Sequence, residues 1–389
     1  MSEALQKASL SSVTLAPAAL SEITSILSKH AVKRVFLVVD PVASAASGAD
    51  TVLADALNHC EVTPFSKFQL NPKLEDVQRG IALFRDNDPE MVIALGGGTA
   101  IDLAKMIGTL AVQSNDARAI VLGHNQIQCD GPPLVAVPTT AGTGSEATHF
   151  AVVYVDGDKY SLADPTLLPD YALVDPLLTH SLPARITAAT GLDAFCQAIE
   201  SLWAVGATEE SCEYATQAAL LSIGHLVSSV QNPTPESRMA MCQASHLAGK
   251  AIDISKTTAS HALSYPLTSL HGLPHGIAVA LTLAPMLGFN SEVTAPDCVD
   301  PRGVDYVRRR ISTIVDLLGA TDVPSACKKI RSILSDTGCP ASLVEAGITH
   351  PSQWEQIIRG VNAERMSNNP RRTTSDSLLR LLSESNDDQ

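Results

Sequence analysis

The residues best suited to chemistry lie in the second half of the chain. In GLDAFCQAIES, helical spacing places Asp193, Gln197 and Glu200 at i, i+4 and i+7 on one face. Further on, SHALSYPLTSLHGLPHG carries His261, His271 and His275. One carboxylate with two imidazoles is a donor set for a divalent ion such as iron or zinc. His271 and His275 are four residues apart, but Gly272 and Pro274 stand between them and argue against one shared helical face. Just ahead of His261, Ser255-Lys256-Thr257-Thr258 offers one cation and three hydroxyls. That set suits an anion with several acceptor oxygens, such as a phosphonate. The same four residues would equally make a solvated helix start, with Ser and Thr as caps and Lys256 in water. Lys159 and Arg185 are further cations for that anion or for a cofactor.

A different chemistry is written in the first half. Gly96-Gly97-Gly98-Thr99 follows the apolar run MVIAL and is followed by Asp102 and Lys105. Backbone without side chains can approach a pyrophosphate, and a helix start presents free N–H groups and partial positive charge. The spacing is neither GxGxxG nor a phosphate loop ending in GK[ST], and a tight strand-to-helix corner would use the same glycines. A second loop, PTTAGTGSE from Pro138, sets Thr139, Thr140 and Thr143 among glycines, a composition that can wrap ribose and nicotinamide. Two such loops after parallel strands converge on the carboxyl edge of a sheet, where nucleotides bind. Asp40 would accept hydrogen bonds from an adenosine ribose diol and repel a 2′-phosphate, favouring NAD(H) over NADP(H). As a helix cap before Pro41 it would have a purely local role.

The elements that must position these groups alternate through the first half. RVFLVVD (34–40), MVIALGGG (91–98) and LVAVP (134–138) read as buried strands. TVLADALNH, LEDVQRGIALFRDND with Leu74, Val77, Ile81 and Phe84 on one side, and TAIDLAKMIGTLAV read as helices between them. This rhythm predicts a parallel sheet covered by helices. After about residue 180 strand signals fade into long Ala/Leu/Ile-rich stretches, so two domains are expected, 1–180 and 181–389.

Composition narrows the function classes. With 45% apolar and 17% charged residues among 389, the chain can bury a large core. It carries 27 Lys+Arg against 41 Asp+Glu, a net charge of −14 with no basic cluster, which argues against nucleic acid or an acidic membrane as partner. No apolar run reaches the ~18 residues of a membrane span. The start, MSEALQKASLSS, lacks the pattern of a secretory signal. Eight scattered cysteines without a CxxC pair fit reduced thiols in a cytoplasmic protein.

Taken together, GGGTAIDLAK, PTTAGTGSEAT, DPTLLPDYALVDPLLTHSLP, TAATGLDAFCQAIES, HALSYPLTSLHGLPH and NNPR (368–371) resemble the iron-containing, or group III metal-dependent, alcohol dehydrogenase family over essentially the whole chain. The resemblance implies a Rossmann-like parallel-sheet amino-terminal domain and an all-helical metal-binding carboxy-terminal domain, the fold also used by dehydroquinate synthase. It further implies a cleft between them for nicotinamide and metal. Carried over by position, the metal ligands fall on Asp193, His261 and His275. The fourth ligand position, usually histidine, is Gln197 here, either a weaker amide ligand or a partner of metal-bound water. Tyr265 stands where many relatives carry a non-ligand histidine, so proton delivery falls to His271, Tyr265 or water. ISKTTASHALSYPLT and DKYSLADP resemble the branch that reduces phosphonoacetaldehyde to 2-hydroxyethylphosphonate, with Lys256 and its neighbours anchoring the phosphonate. The alternatives are a general alcohol, lactaldehyde or polyol dehydrogenase, a dehydroquinate-synthase-like lyase, and a non-catalytic binding protein. The partners expected are a small anionic aldehyde or alcohol, with a homodimer allowed for, and neither nucleic acid nor membrane.

Overall fold

The computed structural model describes residues 11–361 and 363–384, and contacts divide the chain after Leu182 into two units. The first unit is built on β1 (Ser12–Leu15), β2 (Arg34–Val39), β3 (Glu61–Phe65), β4 (Met91–Gly96), β5 (Leu134–Pro138), β6 (Phe150–Val155), β7 (Asp158–Ala163) and β8 (Tyr171–Val174). Six of these strands form one parallel sheet in the order β3-β2-β4-β5-β8-β1. Alternate residues of each strand feed different cores, as a period of two requires. Phe36, Val38, Val92, Ala94, Leu134 and Ala136 enter one cluster, while Val35, Met91, Ile93, Leu95, Val135 and Val137 enter the other. Helices cover both faces. On one lie α1 (Ile23–Lys29) and α3 (Ala49–Ala56), reached after the short α2 (Pro41–Ser47). On the other lie α4 (Leu74–Asn87), whose Leu74, Val77, Ile81 and Phe84 are all buried, and α5 (Gly98–Leu110).

Strand order fixes where a ligand can sit. The chain leaves β2 toward the β3 edge, but leaves β4 toward β5, so the direction of winding reverses between the neighbours β2 and β4. At such a switch point the loops after the two strands diverge and open a crevice at the carboxyl edge. Asp40 directly follows β2 and Gly96 ends β4, and the Asp40 amide donates to the Leu95 carbonyl at 3.0 Å.

The β6–β7 hairpin is an element the sequence reading passes over. Its signal is present, because Asp156-Gly157 lies between two apolar-alternating runs and both residues take positive φ, 54° and 94°.

The second unit is helical. Its main helices are α6 (Ala184–Trp203), α7 (Glu209–Gln231), α8 (Pro235–Ser255), α9 (Ala259–His271), α10 (His275–Ser291), α11 (Val304–Leu317) and α12 (Val323–Asp336), followed by the short α13 (Ala363–Ser367). Three of them start from reciprocal caps, Thr208 with Ser211, Thr234 with Ser237 and Asp322 with Ser325. Helix α9 stops where expected: Gly272 takes the left-handed conformation at φ 68°, and α10 begins at His275. Among the described residues no helix is long and apolar enough to cross a membrane.

Candidate functional site

In the first unit, three loops meet at the switch point. The glycine turn opens α5 without a side-chain cap, while the Ala100 amide turns back to the Gly97 carbonyl at 3.0 Å. The Thr139 amide donates to the Gly96 carbonyl at 3.0 Å, which joins the β5 loop to the turn. Gly98 is glycine for a packing reason, since a Cβ there would stand 2.8 Å from Thr143 Cγ2. A cradle of backbone and threonine hydroxyls therefore forms at the carboxyl edge from Gly96, Gly97, Gly98, Thr99, Thr140 and Thr143. Thr139 Oγ1 is buried beside it with no hydrogen-bond partner.

The charged residues near this turn do something else. Asp102 accepts from Ser145 Oγ at 2.5 Å and from the Val152 amide at 3.0 Å, so both oxygens tie α5 to the following loop and to β6. Burial pushes its carboxyl above the usual range, with Lys105, Ser145, Val152 and Lys159 opposing. Both Asp102 oxygens, expected from sequence to face a cofactor, thus already accept from groups of this unit. Lys105, 1% exposed, donates to the Thr148 carbonyl, Thr148 Oγ1 and the Phe150 carbonyl at 2.8, 3.0 and 2.9 Å. Asp40 caps α2, its Oδ1 accepting from the Val42 and Ala43 amides at 3.0 and 3.1 Å. Lys159 sits opposite Tyr154 on the hairpin.

In the second unit, three helices bring one donor each to a common point. Asp193 comes from the middle of α6, His261 from the start of α9 and His275 from the first position of α10. Their ligand atoms all lie within 4.8 Å of one another. His261 Nε2 is 3.3 Å and His275 Nε2 3.9 Å from the same Asp193 Oδ1. A tetrahedral ion with bonds of about 2.1 Å holds its ligands roughly 3.4 Å apart, so the set fits.

Each imidazole is oriented by its other nitrogen. His261 Nδ1 faces Glu200 Oε2, and that fully buried carboxylate also accepts from Thr258 Oγ1 at 2.6 Å and the Ser260 amide at 2.9 Å. Ser264 Oγ gives its proton to the His261 carbonyl at 2.7 Å, so it accepts from His275 Nδ1–H at 3.2 Å. Both Nε2 atoms are thereby turned toward Asp193. Burial works to lower the His261 imidazole, but Glu200 and Asp193 on its two sides hold it up to about 9. Burial likewise works to raise Asp193, while His261, His275 and Gln197 keep it below the usual carboxylate value. An ion at this point would displace the second proton that the carboxylates hold on His261; two buried carboxylates with two neutral imidazoles then carry −2, which a divalent cation brings to zero.

Gln197, one turn along α6, hydrogen-bonds to the Asp193 side chain. Tyr265 stacks beside His275, ring centroids 6.3 Å apart. His271 lies ten residues beyond His261 on α9, about 15 Å of helix rise, and is not brought into this cluster. Of the four residues before His261, Ser255 and Thr258 are engaged inside the unit. Ser255 Oγ meets Ser201 Oγ at 2.9 Å, and Thr258 Oγ1 accepts from Trp203 Nε1 at 2.9 Å while donating to Glu200. That narrows the anion-binding candidates to exposed Lys256 and its buried neighbour Thr257. Arg185, at the start of α6, lines a separate cavity of about 400 Å³ with Leu273, Pro274, Ile277 and Cys339. The reading from sequence gave Glu200 a place on the Asp193 face but no role, and it missed Ser264. The i+3 step from His261 to Ser264 was the available signal.

Comparisons with known proteins bear on the family and the fold. A family model described as iron-containing alcohol dehydrogenase matches residues 11–176, and one described as the carboxy-terminal part of that family matches 187–386. The chain is 37% identical over 306 residues to a phosphonoacetaldehyde reductase of Streptomyces viridochromogenes, covering 76% of each. It is 30% identical over 378 residues to a 4-hydroxybutyrate dehydrogenase of Cupriavidus necator, covering 94% of this chain and 96% of that protein. Among solved structures, the sulfoacetaldehyde reductase of Bifidobacterium kashiwanohense in complex with NAD+ superimposes with a TM-score of 0.86 at 30% identity, covering 98% of both chains. The chain is an oxidoreductase that belongs to the iron-containing alcohol dehydrogenase family.

Proposed function

We propose that this protein reduces a two-carbon aldehyde bearing a tetrahedral anion, phosphonoacetaldehyde first, to the primary alcohol, with NADH as hydride donor and Fe(II) or Zn(II) held by Asp193, His261 and His275. The observation that carries the substrate class is Lys256, exposed between buried Ser255 and Thr257 five residues before a metal-ligand histidine. A cation so close to the metal-binding segment favours a substrate whose far end is an anion. Two of the similar proteins named above act, by their names, on acetaldehydes carrying a phosphonate or a sulfonate.

When bound, the ion supplies Lewis acidity to the carbonyl and the nicotinamide supplies the hydride. The protein's own groups bind, orient and hold protons. Backbone at Gly96–Thr99 receives the pyrophosphate, and Thr139, Thr140 and Thr143 line the nicotinamide side. Asp40, with Oδ1 engaged in capping, offers Oδ2 to the ribose diol and disfavours a 2′-phosphate. Lys159 flanks the same cofactor. Glu200 keeps the proton on His261 Nδ1, so Nε2 stays a donor to the cation. Gln197 steadies Asp193. Tyr265, beside His275, carries the proton to the product alcohol.

The test is NADH oxidation by the Fe(II)- or Zn(II)-loaded protein across phosphonoacetaldehyde, sulfoacetaldehyde, succinate semialdehyde and propanal. The proposal expects kcat/KM for the phosphonate to exceed that for propanal by about 100-fold or more, the scale of a charge-assisted contact. Equal values for charged and neutral aldehydes reject the anion reading. A maximum at succinate semialdehyde would transfer it to a carboxylate, as the similarity to a 4-hydroxybutyrate dehydrogenase suggests.

A further inference from the structure

Lys256 holds a backbone conformation that a lysine rarely adopts. At φ 58° and ψ 172° it lies outside the ordinary left-handed helical region of Ala18 (61°, 23°) or Asp88 (44°, 58°), in territory essentially reserved for glycine. Such a conformation persists only where its surroundings over-determine it.

Here they do. One amide side chain holds the carbonyls on both sides of Lys256, and a serine hydroxyl, also close to the Ala251 carbonyl at 2.9 Å, lies near the carbonyl between them. Asn368 Nδ2 donates to the Ser255 carbonyl at 2.8 Å and to the Thr257 carbonyl at 3.0 Å, on either side of Lys256. Ser255 Oγ reaches the Lys256 carbonyl at 3.0 Å. Asn368 is itself fixed by the turn after α6, its Oδ1 accepting from the Gly206 amide at 2.9 Å and its backbone carbonyl from the Val205 amide at 3.0 Å. The approach is so close that a Cβ on Gly206 would stand 2.8 Å from the Ser255 carbonyl oxygen. The outcome is one exposed ammonium-bearing residue with a locked backbone between two buried neighbours.

We infer that Asn368 is a positioning residue for charge selection: by clamping the carbonyls that flank Lys256 it fixes the direction in which that lysine presents its cation to the anionic end of the substrate. This rests on the reading of Lys256 as the anion anchor. The clamp uses the amide's two N–H groups as a pair, which neither alanine nor aspartate can reproduce.

The experiment measures kcat/KM for phosphonoacetaldehyde and for propanal, together with Tm, in the metal-loaded wild type, Lys256→Ala, Lys256→Gly, Asn368→Ala and the double alanine variant. Expected for Asn368→Ala is a fall of about tenfold in the phosphonoacetaldehyde-to-propanal ratio, arising in KM for the charged substrate, with kcat for propanal within about twofold. The double variant should show no lower ratio than Lys256→Ala alone, because Asn368 acts through Lys256. Lys256→Gly should melt above Lys256→Ala, because glycine adopts this φ without strain. Equal losses on both substrates in Asn368→Ala, with Lys256→Ala still selective against the anion, overturn the positioning role and leave the anchor standing. An unchanged ratio in Lys256→Ala removes the anchor itself. If Asn368→Ala does not fold, Lys256→Gly decides: no gain in Tm over Lys256→Ala rejects the strained clamp.

Discussion

The two units of this molecule are built on opposite plans. At the carboxyl edge of the sheet, the candidate cofactor cradle is backbone and hydroxyl, and the neighbouring charged side chains turn inward as struts. Lys105 gives three hydrogen bonds to the segment 148–150, and Asp102 receives two from the segment 145–152. In the helical unit the reverse holds. Three side chains from α6, α9 and α10 converge, and the residues next to them orient imidazoles. A switch-point crevice is supplied by topology and needs only bare backbone, whereas a helical bundle supplies no crevice and must build a site from side chains.

The sharpest break of this contrast is His261→Ala. It removes one of three donors and leaves Glu200 and Asp193 as buried carboxylates without their bridging ring. Metal content by mass spectrometry should fall to background, and turnover should drop by about 10³-fold or more, the scale of several kcal/mol of Lewis-acid stabilisation. Tight NADH binding by fluorescence should persist. Metal retention with full turnover would dissolve the convergent site.

Glu200→Gln is the milder version. The amide keeps the volume but no longer demands the proton from His261 Nδ1. Metal affinity by chelator competition should weaken roughly 10- to 100-fold, with NADH affinity unchanged. An unchanged metal affinity would reduce Glu200 to a packing residue.

For the sheet unit the corresponding variant is Lys105→Met. It takes the ammonium donor away from the carbonyls of Thr148 and Phe150 in a buried place, so unfolding in denaturant should show a loss of about 3 kcal/mol. NADH affinity of the folded protein should stay within about twofold. A large loss of NADH affinity at unchanged stability would make Lys105 a cofactor ligand and blur the contrast.

How much of this was legible in the chain follows the same division. The parallel sheet was readable because apolar runs such as RVFLVV and MVIAL are each followed by a glycine- or aspartate-led turn. The candidate metal donors stood out as residue types, and the family resemblance supplied their positions. The direction of side chains was not. Nothing local tells that Asp102 turns to Ser145, 43 residues away, or that Glu200 meets His261 across 61 residues. Ser255 and Thr258 look like ligands beside Lys256 until Ser201, Trp203 and Glu200 are seen to engage them. The conformation of Lys256 carries no sequence mark, because it is imposed by Asn368, more than a hundred residues on.

The smallest effect concerns the helical unit's outer framework. Asp297 receives Arg371 Nε at 2.7 Å on Oδ2 and the Thr294 amide and hydroxyl at 2.7 and 2.9 Å on Oδ1. Burial works to raise its carboxyl, but these donors together hold it below the ordinary value. A folded pKa below the unfolded one means that the contribution is complete above about pH 4, where the unfolded carboxyl is also ionised, and is lost as pH falls through the lowered value. Asp297→Asn can keep the Thr294 contacts through its carbonyl oxygen but presents an NH2 to Arg371. At pH 7 the variant should be less stable by about 1 kcal/mol, the range of a partly exposed ion pair. Denaturant unfolding at stepwise lower pH should show that gap constant down to about pH 4 and closing below it. A gap that persists or widens in acid would place the stabilisation in the shape of the turn rather than in the charge, and the acid branch of the protein's stability would then have to arise elsewhere.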